Sequence, residues 1–201
     1  MPTGKPSVAT ELQTTESNVE VYLAHILHPR SSIEIQSAIT LRVDMPPPAP
    51  PASAQGLSDE HLHAEEKWLS EWIQAANSMD WSQWERFWDD DAFLQFCDTP
   101  KLEGRDAIAR HWRDRFSYLD RFEHTRILRR SFDVTSELIY QTELLNYRIK
   151  GDPKARDIEV HALAVIHKKV GSDTVTGFEA YFDQQPIVEV VRELRGRKRP
   201  E

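Results

Sequence analysis

The chain has 201 residues, a formal net charge of −8 at pH 7, 39% hydrophobic residues and a single cysteine. This length fits one folded domain with an extension, or two very small domains. The acidic balance argues against a general nucleic-acid-binding protein, which needs basic surface to replace counterions. The cysteine, Cys97, excludes an intramolecular disulfide. Because no apolar run reaches the roughly 20 residues of a membrane span, we expect a cytoplasmic protein that does not enter a membrane.

The first 57 residues are predicted to lie outside the folded domain. Residues 1–44 form an N-terminal extension, partly disordered, in which the apolar residues of 32–43 alternate as they do in a β-strand. His25 and His28 have no third ligand nearby, so a metal site is not predicted there. Residues 45–57 form a Pro-rich linker, because five of the six residues 46–51 are proline and proline is excluded from helix interiors and central strands.

The folded domain is predicted over residues 58–192, which contain all six tryptophans and all eight phenylalanines. Residues 193–201 are predicted to be a disordered basic tail, with a nuclear-import signal as the alternative. Helical spacing predicts a first helix over 58–79 and a second over 81–88, for which Asp80 is the N-cap. The aromatic residues of the second helix are interpreted as core anchors.

An acidic triplet, residues 89–91, is predicted to be an exposed turn that ends this helix. Three consecutive carboxylates cannot converge on one ion, so no metal site is predicted. A strand over 92–97 follows, and Gly104 then precedes a helix with an apolar stripe. After this helix the period changes from 3.6 to 2, which predicts strands over 124–130, 138–149, 158–168 and 175–183. This order indicates an α+β domain with helices on one face of a curved, mainly antiparallel sheet.

Three segments of this domain resemble a known family. They read Trp-Asp-Asp-Asp-Ala-Phe-Leu-Gln-Phe from Trp88, Glu-Gly-Arg-Asp-Ala-Ile from Glu103, and Val-Thr-Gly-Phe-Glu-Ala-Tyr-Phe-Asp from Val175. In this order and spacing they are similar to the nuclear-transport-factor-2-like superfamily, and within it to the SnoaL-like group and to limonene epoxide hydrolase. The resemblance implies a cone-shaped α+β fold. It implies no single activity, because this superfold hosts isomerases, dehydratases, cyclases, hydrolases and binding proteins.

The resemblance also implies that epoxide hydrolysis is absent. At the positions of the hydrolase's Arg-X-Asp motif this chain has Glu143 and Leu145, and at its final-strand aspartate it has Ala180. The Tyr-X-Asn motif that helps to hold the attacking water is replaced by Leu94 and Phe96. All five positions have changed, so the residues that activate water are missing.

Strand alternation and the resemblance together predict the interior of the cone. The wall is expected to be mostly apolar, as small-molecule cavities are. The candidate substrate-binding residues are Leu94, Phe96, Leu145, Val160, Ala162, Phe178, Ala180 and Phe182. The candidate catalytic residues are Glu143, Tyr147 and, through the resemblance, His124. A buried carboxyl beside an imidazole is a usable acid–base pair.

Two classes of function fit this interior. The first is a cofactor-free isomerase, dehydratase or cyclase that moves a proton on a small hydrophobic, oxygenated compound. His124 and Glu143 would be its acid and base, and Tyr147 would orient a carbonyl or hydroxyl group. The second is a non-catalytic cone that binds an apolar ligand or mainly dimerises. The resemblance implies a homodimer, and neither hypothesis requires a metal or cofactor.

Overall fold

Four helices and six strands make up residues 54–197, the part of the chain that the computed structural model describes. These residues belong to one unit, Pro48–Glu201. The predicted strand 32–43, the two histidines before it and most of the Pro-rich linker lie outside the described residues. No helix between residues 54 and 197 is long and apolar enough to cross a membrane.

The elements follow the order that the periodicity predicts, with helices before the sheet. The chain forms α1 (Asp59–Asn77), α2 (Trp81–Trp84), a 3-10 turn (Glu85–Phe87), β1 (Trp88–Phe96), β2 (Leu102–Glu103), α3 (Arg105–Ser117), β3 (Leu119–Asp133), β4 (Leu138–Ile149), β5 (Ile158–His167), β6 (Val175–Phe182) and α4 (Gln185–Arg197). The strands pair in the order β2-β1-β6-β5-β4-β3. All neighbours are antiparallel except β1 and β6. The predicted α+β architecture with a mainly antiparallel sheet is confirmed.

The short helix α2 is fixed by its cap and by its aromatic residues. The Asp80 carboxylate accepts hydrogen bonds from the backbone N–H of Ser82 at 3.0 Å and from the side chain of Gln83 at 3.1 Å, as the N-cap prediction requires. The aromatic side chains predicted to be core anchors are no more than 6% exposed, and they are Trp81, Trp84, Phe87 and Trp88. Burial of these rings supplies the stability that a single helical turn lacks.

The acidic triplet 89–91 is not a turn, which corrects the sequence interpretation. These residues lie within β1, where the pairing with β6 is irregular. Asp90 forms an ion pair with Arg105 at 2.5 Å, so the first residue of α3 is tied to this strand. Gly104, with a φ of 86°, makes the turn into α3, a backbone conformation that favours glycine. The acidic triplet in β1 and the Gly-Arg-Asp segment at the start of α3 are therefore in contact through this ion pair.

Three further elements differ from prediction: α2 ends at Trp84 and not at residue 88, β3 is longer than predicted, and α4 was not predicted. β3 extends beyond the predicted strand 124–130 at both ends. It begins at Leu119, directly after α3, and ends at Asp133. α4 includes residues 193–197, so their assignment to a disordered tail is wrong. Buried Ile187, Val188 and Val191 form the apolar side of α4. Glu193 accepts a hydrogen bond from Lys154 at 2.9 Å, which ties α4 to the β4–β5 connection.

A buried ion pair fixes α1 on the connection between β5 and β6. The Glu65 carboxylate accepts hydrogen bonds from Lys168 Nζ at 2.6 Å and from the Gly171 backbone N–H at 2.7 Å. The two ionised side chains are only 4% and 1% exposed. The same ammonium lies 4.7 Å from the ring centre of Trp68. This pair holds α1, whose last residue is Asn77, in a fixed position against the sheet.

Candidate functional site

One face of the sheet turns inward and contains the predicted wall. The strand registers align Glu143 with Ala162 and Phe182, and Leu145 with Val160. They place all eight predicted wall residues on this face. Six of the eight are no more than 9% exposed, namely Leu94, Leu145, Val160, Ala162, Ala180 and Phe182, and the other two, Phe96 and Phe178, are half-buried.

Two β-bulges determine which residues of β3 face the same interior. The register shifts between residues 124 and 126 and again between 127 and 129. Each shift moves the following residues to the other face of the strand. Three residues spaced by three, His124, Ile127 and Arg130, thus stand opposite the inward residues Leu145, Glu143 and Gln141.

The candidate acid–base pair is brought together at this place. His124 Nε2 lies 3.8 Å from Glu143 Oε1, and the two side chains are 8% and 4% exposed. This distance is longer than a hydrogen bond. Both atoms therefore remain able to bind a third group placed beside them.

Asn77, at the end of α1, sets the tautomer of His124. Its side-chain oxygen accepts the His124 backbone N–H at 3.0 Å, so this atom is the amide oxygen. The same oxygen lies 2.6 Å from His124 Nδ1, which must then donate. In the neutral imidazole the proton is on Nδ1, and the lone pair of Nε2 points toward Glu143. This contact does not follow from the sequence, because Asn77 and His124 are 47 positions apart.

A line of hydrogen bonds leads from Glu143 toward the other end of β3. Gln141 Nε2 donates to Glu143 Oε2 at 2.5 Å. Gln141 Oε1 accepts from Arg130 Nη2 at 2.5 Å and from its Nε at 2.9 Å. The guanidinium therefore orients the Gln141 amide, which in turn fixes one oxygen of the carboxyl. The other oxygen is the one that faces His124.

Burial shifts the pKa values of the two groups in opposite directions. It raises the pKa of Glu143 from 4.5 to about 7, although the Gln141 hydrogen bond and the Arg130 charge act in the other direction. It lowers the pKa of His124 from 6.5 to about 4. Near neutral pH the imidazole is therefore uncharged, and the carboxyl is divided between its two protonation states.

Aromatic rings border the pair. Tyr147, the third candidate catalytic residue, is 2% exposed. Its ring centre lies 5.1 Å from that of Phe122 and 6.3 Å from that of Phe182, on which it stacks. Phe122 in turn lies 5.1 Å from the His124 ring. Tyr147 thus shares the interior with the pair, separated from His124 by one ring.

The wall residue Phe178 lies elsewhere in the interior. Its ring packs 5.8 Å from Trp72 and 6.3 Å from Trp88, within the tryptophan cluster of the core. Among residues 54–197, no group of three His, Cys, Asp or Glu side chains is arranged to hold a metal ion. The arrangement offers a proton donor and acceptor in apolar surroundings, which suits acid–base chemistry.

Comparison with known proteins agrees with this fold. Residues 66–171, more than half of the chain, match the model of a protein family described as the SnoaL-like domain. A search of curated proteins found no significant match.

Solved structures with the same fold come from several bacteria. A proposed polyketide cyclase from Xanthomonas campestris is 16% identical with a TM-score of 0.54, covering 65% of this chain and 98% of its own. A phenazine biosynthesis-related protein from Pseudomonas aeruginosa is 14% identical with a TM-score of 0.54, covering 69% and 88%. A proposed SnoaL-like polyketide cyclase from Shewanella denitrificans is 14% identical with a TM-score of 0.52, covering 65% and 98%. At these identities the likeness establishes the fold alone.

Proposed function

This chain belongs to the SnoaL-like domain family, and we propose that its cone binds a small hydrophobic, oxygenated compound and moves a proton on it without a cofactor. Isomerisation, dehydration and cyclisation all begin with such a step. The structural neighbours described as proposed polyketide cyclases support this class of compound. The apolar wall supports it as well, because it would bind the body of such a molecule.

The observation that supports catalysis is the enclosed pair of His124 and Glu143, 3.8 Å apart. A group with a pKa near the working pH is the best general acid or base, and the pKa of Glu143 is about 7. We assign proton removal and return to Glu143. His124 accepts a hydrogen bond at Nε2 and so positions the substrate, and Tyr147 orients its carbonyl or hydroxyl group.

Exchange of carbon-bound hydrogen tests this proposal directly. The full chain is incubated in D2O with α-tetralone, an apolar aromatic ketone, and loss of the hydrogens next to the carbonyl is followed by proton NMR. Wild type is expected to accelerate the exchange, and Glu143→Gln to reduce the acceleration about 100-fold or more, since it removes the general base.

A second histidine–glutamate pair provides the matched control. His167 Nε2 lies 2.8 Å from Glu179 Oε1 on the opposite face of the sheet. Glu179→Gln removes the same charge without touching the interior and should leave the exchange rate unchanged. Equal rates for Glu143→Gln and wild type would refute the catalytic assignment.

The alternative is a non-catalytic module. The replacement of the hydrolase residues favours it, and so does the outer face of the sheet, which exposes Tyr140 by 38% and Tyr181 by 39%. We propose that this face forms a homodimer under either function. Binding of α-tetralone without exchange would favour the module over the enzyme.

A further inference from the structure

Arg115 is a charged residue on the buried side of α3. It follows Ile108 and Trp112 at helical spacing and precedes Phe116, all of which are buried. Arginine is among the residues least often buried, yet Arg115 is only 4% exposed. The apolar stripe that the sequence predicts for this helix therefore contains a guanidinium.

The side chain lies against two residues of the predicted wall. Its guanidinium carbon is 4.3 Å from the ring centre of Phe96 and 5.6 Å from that of Phe182. The two rings are 6.4 Å apart and perpendicular. His111, one turn earlier on α3, lies 5.6 Å from Phe96. Arg115 thus reaches the interior from the helix side, over one ring of β1 and one of β6.

A series of ring contacts leads from Phe182 to His124 of the pair. Phe182 stacks on Tyr147, and Phe122 stands between Tyr147 and His124. The interior therefore has a permanent cation beside Phe182 and, at the other end of these ring contacts, the imidazole of His124 next to Glu143. An apolar ligand lying along these rings would meet different chemistry at its two ends.

A guanidinium has five N–H donors in a planar fork and stays protonated throughout the physiological pH range. It can therefore hold a protein partner and an acid group of a ligand at the same time. Ring faces offset part of the cost of burying its charge, and a carboxylate matches the fork in shape and sign.

We propose that Arg115 recognises an acidic group, and that the ligand of the cone is an apolar molecule bearing one carboxylate. This inference rests on the proposed function and narrows its substrate class. Arg115 acts in binding and specificity, while the reacting end of the molecule lies toward Glu143.

Two probes of the same shape test the inference. They are 2-naphthoate, which bears a carboxylate, and 2-naphthamide, its neutral counterpart. Isothermal titration calorimetry of the full chain should give a Kd for naphthoate about tenfold lower than for naphthamide, since a charge-assisted pair is stronger than a neutral one. Arg115→Met should remove this preference by raising the Kd for naphthoate to the level of that for naphthamide, and continued binding of naphthamide shows that the variant is folded.

Two further variants complete the experiment. Arg110→Met, on the exposed side of α3, should behave as wild type. Arg115→Lys keeps the charge but not the planar fork, so its affinity for naphthoate alone should fall about threefold. This variant replaces Arg115→Met if Arg115→Met does not fold. Equal affinities for both probes in wild type would overturn the role of Arg115 and leave the cone as a binding site. No affinity for either probe would overturn both proposals.

Discussion

Glu143 and His124 share one enclosure, and burial has opposite consequences for their contributions to stability. A carboxyl whose pKa is raised by folding binds its proton more tightly in the folded protein. Its contribution to the free energy of unfolding therefore falls as the pH rises from 4.5 to about 7. The imidazole, whose pKa is lowered, contributes a rise between about pH 4 and 6.5. In wild type the two contributions largely cancel between pH 4.5 and 6.5.

Removing either group should reveal the pH dependence that the other contributes to the free energy of unfolding. Relative to wild type, the free energy of unfolding of Glu143→Gln should increase by about 3 kcal/mol between pH 4.5 and 7, since a shift of one pKa unit is worth about 1.4 kcal/mol. That of His124→Gln should decrease by a similar amount between pH 4 and 6.5. Urea unfolding at a series of pH values measures both.

The exposed Glu189 of α4 offers a control for these profiles. Glu189→Gln should run parallel to wild type at every pH. If the difference profiles of the two site variants have the same sign, the site does not hold a neutral imidazole beside a raised carboxyl.

At the scale of single residues, the sequence predicts the side chains whose direction follows from the alternation of a regular strand. Glu143 and Tyr147 are four positions apart on one regular strand, so their common face follows from a period of two. Arg130 and Asn77 do not follow from any period. The first is turned inward by two bulges, and the second meets His124 through the packing of α1.

At the scale of elements, α1 depends on the ion pair of Glu65 and Lys168. Lys168→Met leaves a carboxylate buried without its cation, which typically costs about 3–5 kcal/mol. The double variant Glu65→Gln/Lys168→Met should be more stable than Lys168→Met, because a neutral amide still accepts the Gly171 N–H. Thermal unfolding measures which of the two variants is more stable.

Loss of the ion pair should also change the surroundings of His124. Loosening α1 should weaken the contact of Asn77 with His124, and the His124 ring signals in NMR should shift in Lys168→Met. Lys169→Met, at the exposed neighbouring position, should change neither stability nor spectrum. A double variant less stable than Lys168→Met would refute this account of the pair.

Regular strands are the elements that the sequence locates best. β4 has the predicted bounds, and β5 and β6 each end one residue before the predicted end. β1 was misjudged at the acidic triplet, because the irregular pairing removes the alternation there. α4 was not predicted, because the basic composition of its second half conceals the apolar side formed by Ile187, Val188 and Val191.

For the whole molecule, the proposed homodimer makes the outer face of the sheet an interface. Tyr140 and Tyr181 are its exposed large rings, and such rings are enriched in interfaces. Sedimentation velocity should show a dimer for wild type and a monomer for Tyr140→Asp/Tyr181→Asp, because two carboxylates would be buried without partners. Arg113→Asp, on exposed α3 surface, should remain dimeric. A monomeric wild type would exclude this interface.

The fold as a whole was identified from three short segments, and the structure explains why these suffice. They correspond to β1, the start of α3 and β6. β1 and β6 are neighbouring strands, and the first residue of α3 is tied to β1 by the ion pair of Arg105 with Asp90. The ligand cannot be identified in the same way, since the interior residues are set by chemistry that differs among proteins of one fold.

The parallel pairing of β1 with β6 has a consequence for biosynthesis. Phe93 pairs with Gly177, 84 positions later, whereas β3, β4, β5 and β6 are joined as successive antiparallel neighbours. Contacts between distant positions form slowly, because the intervening chain must be ordered first. While the chain emerges from the ribosome, β1 of the tryptophan-rich half has only the two-residue strand β2 to pair with. The parallel partner of β1 becomes available only when β6 has been translated.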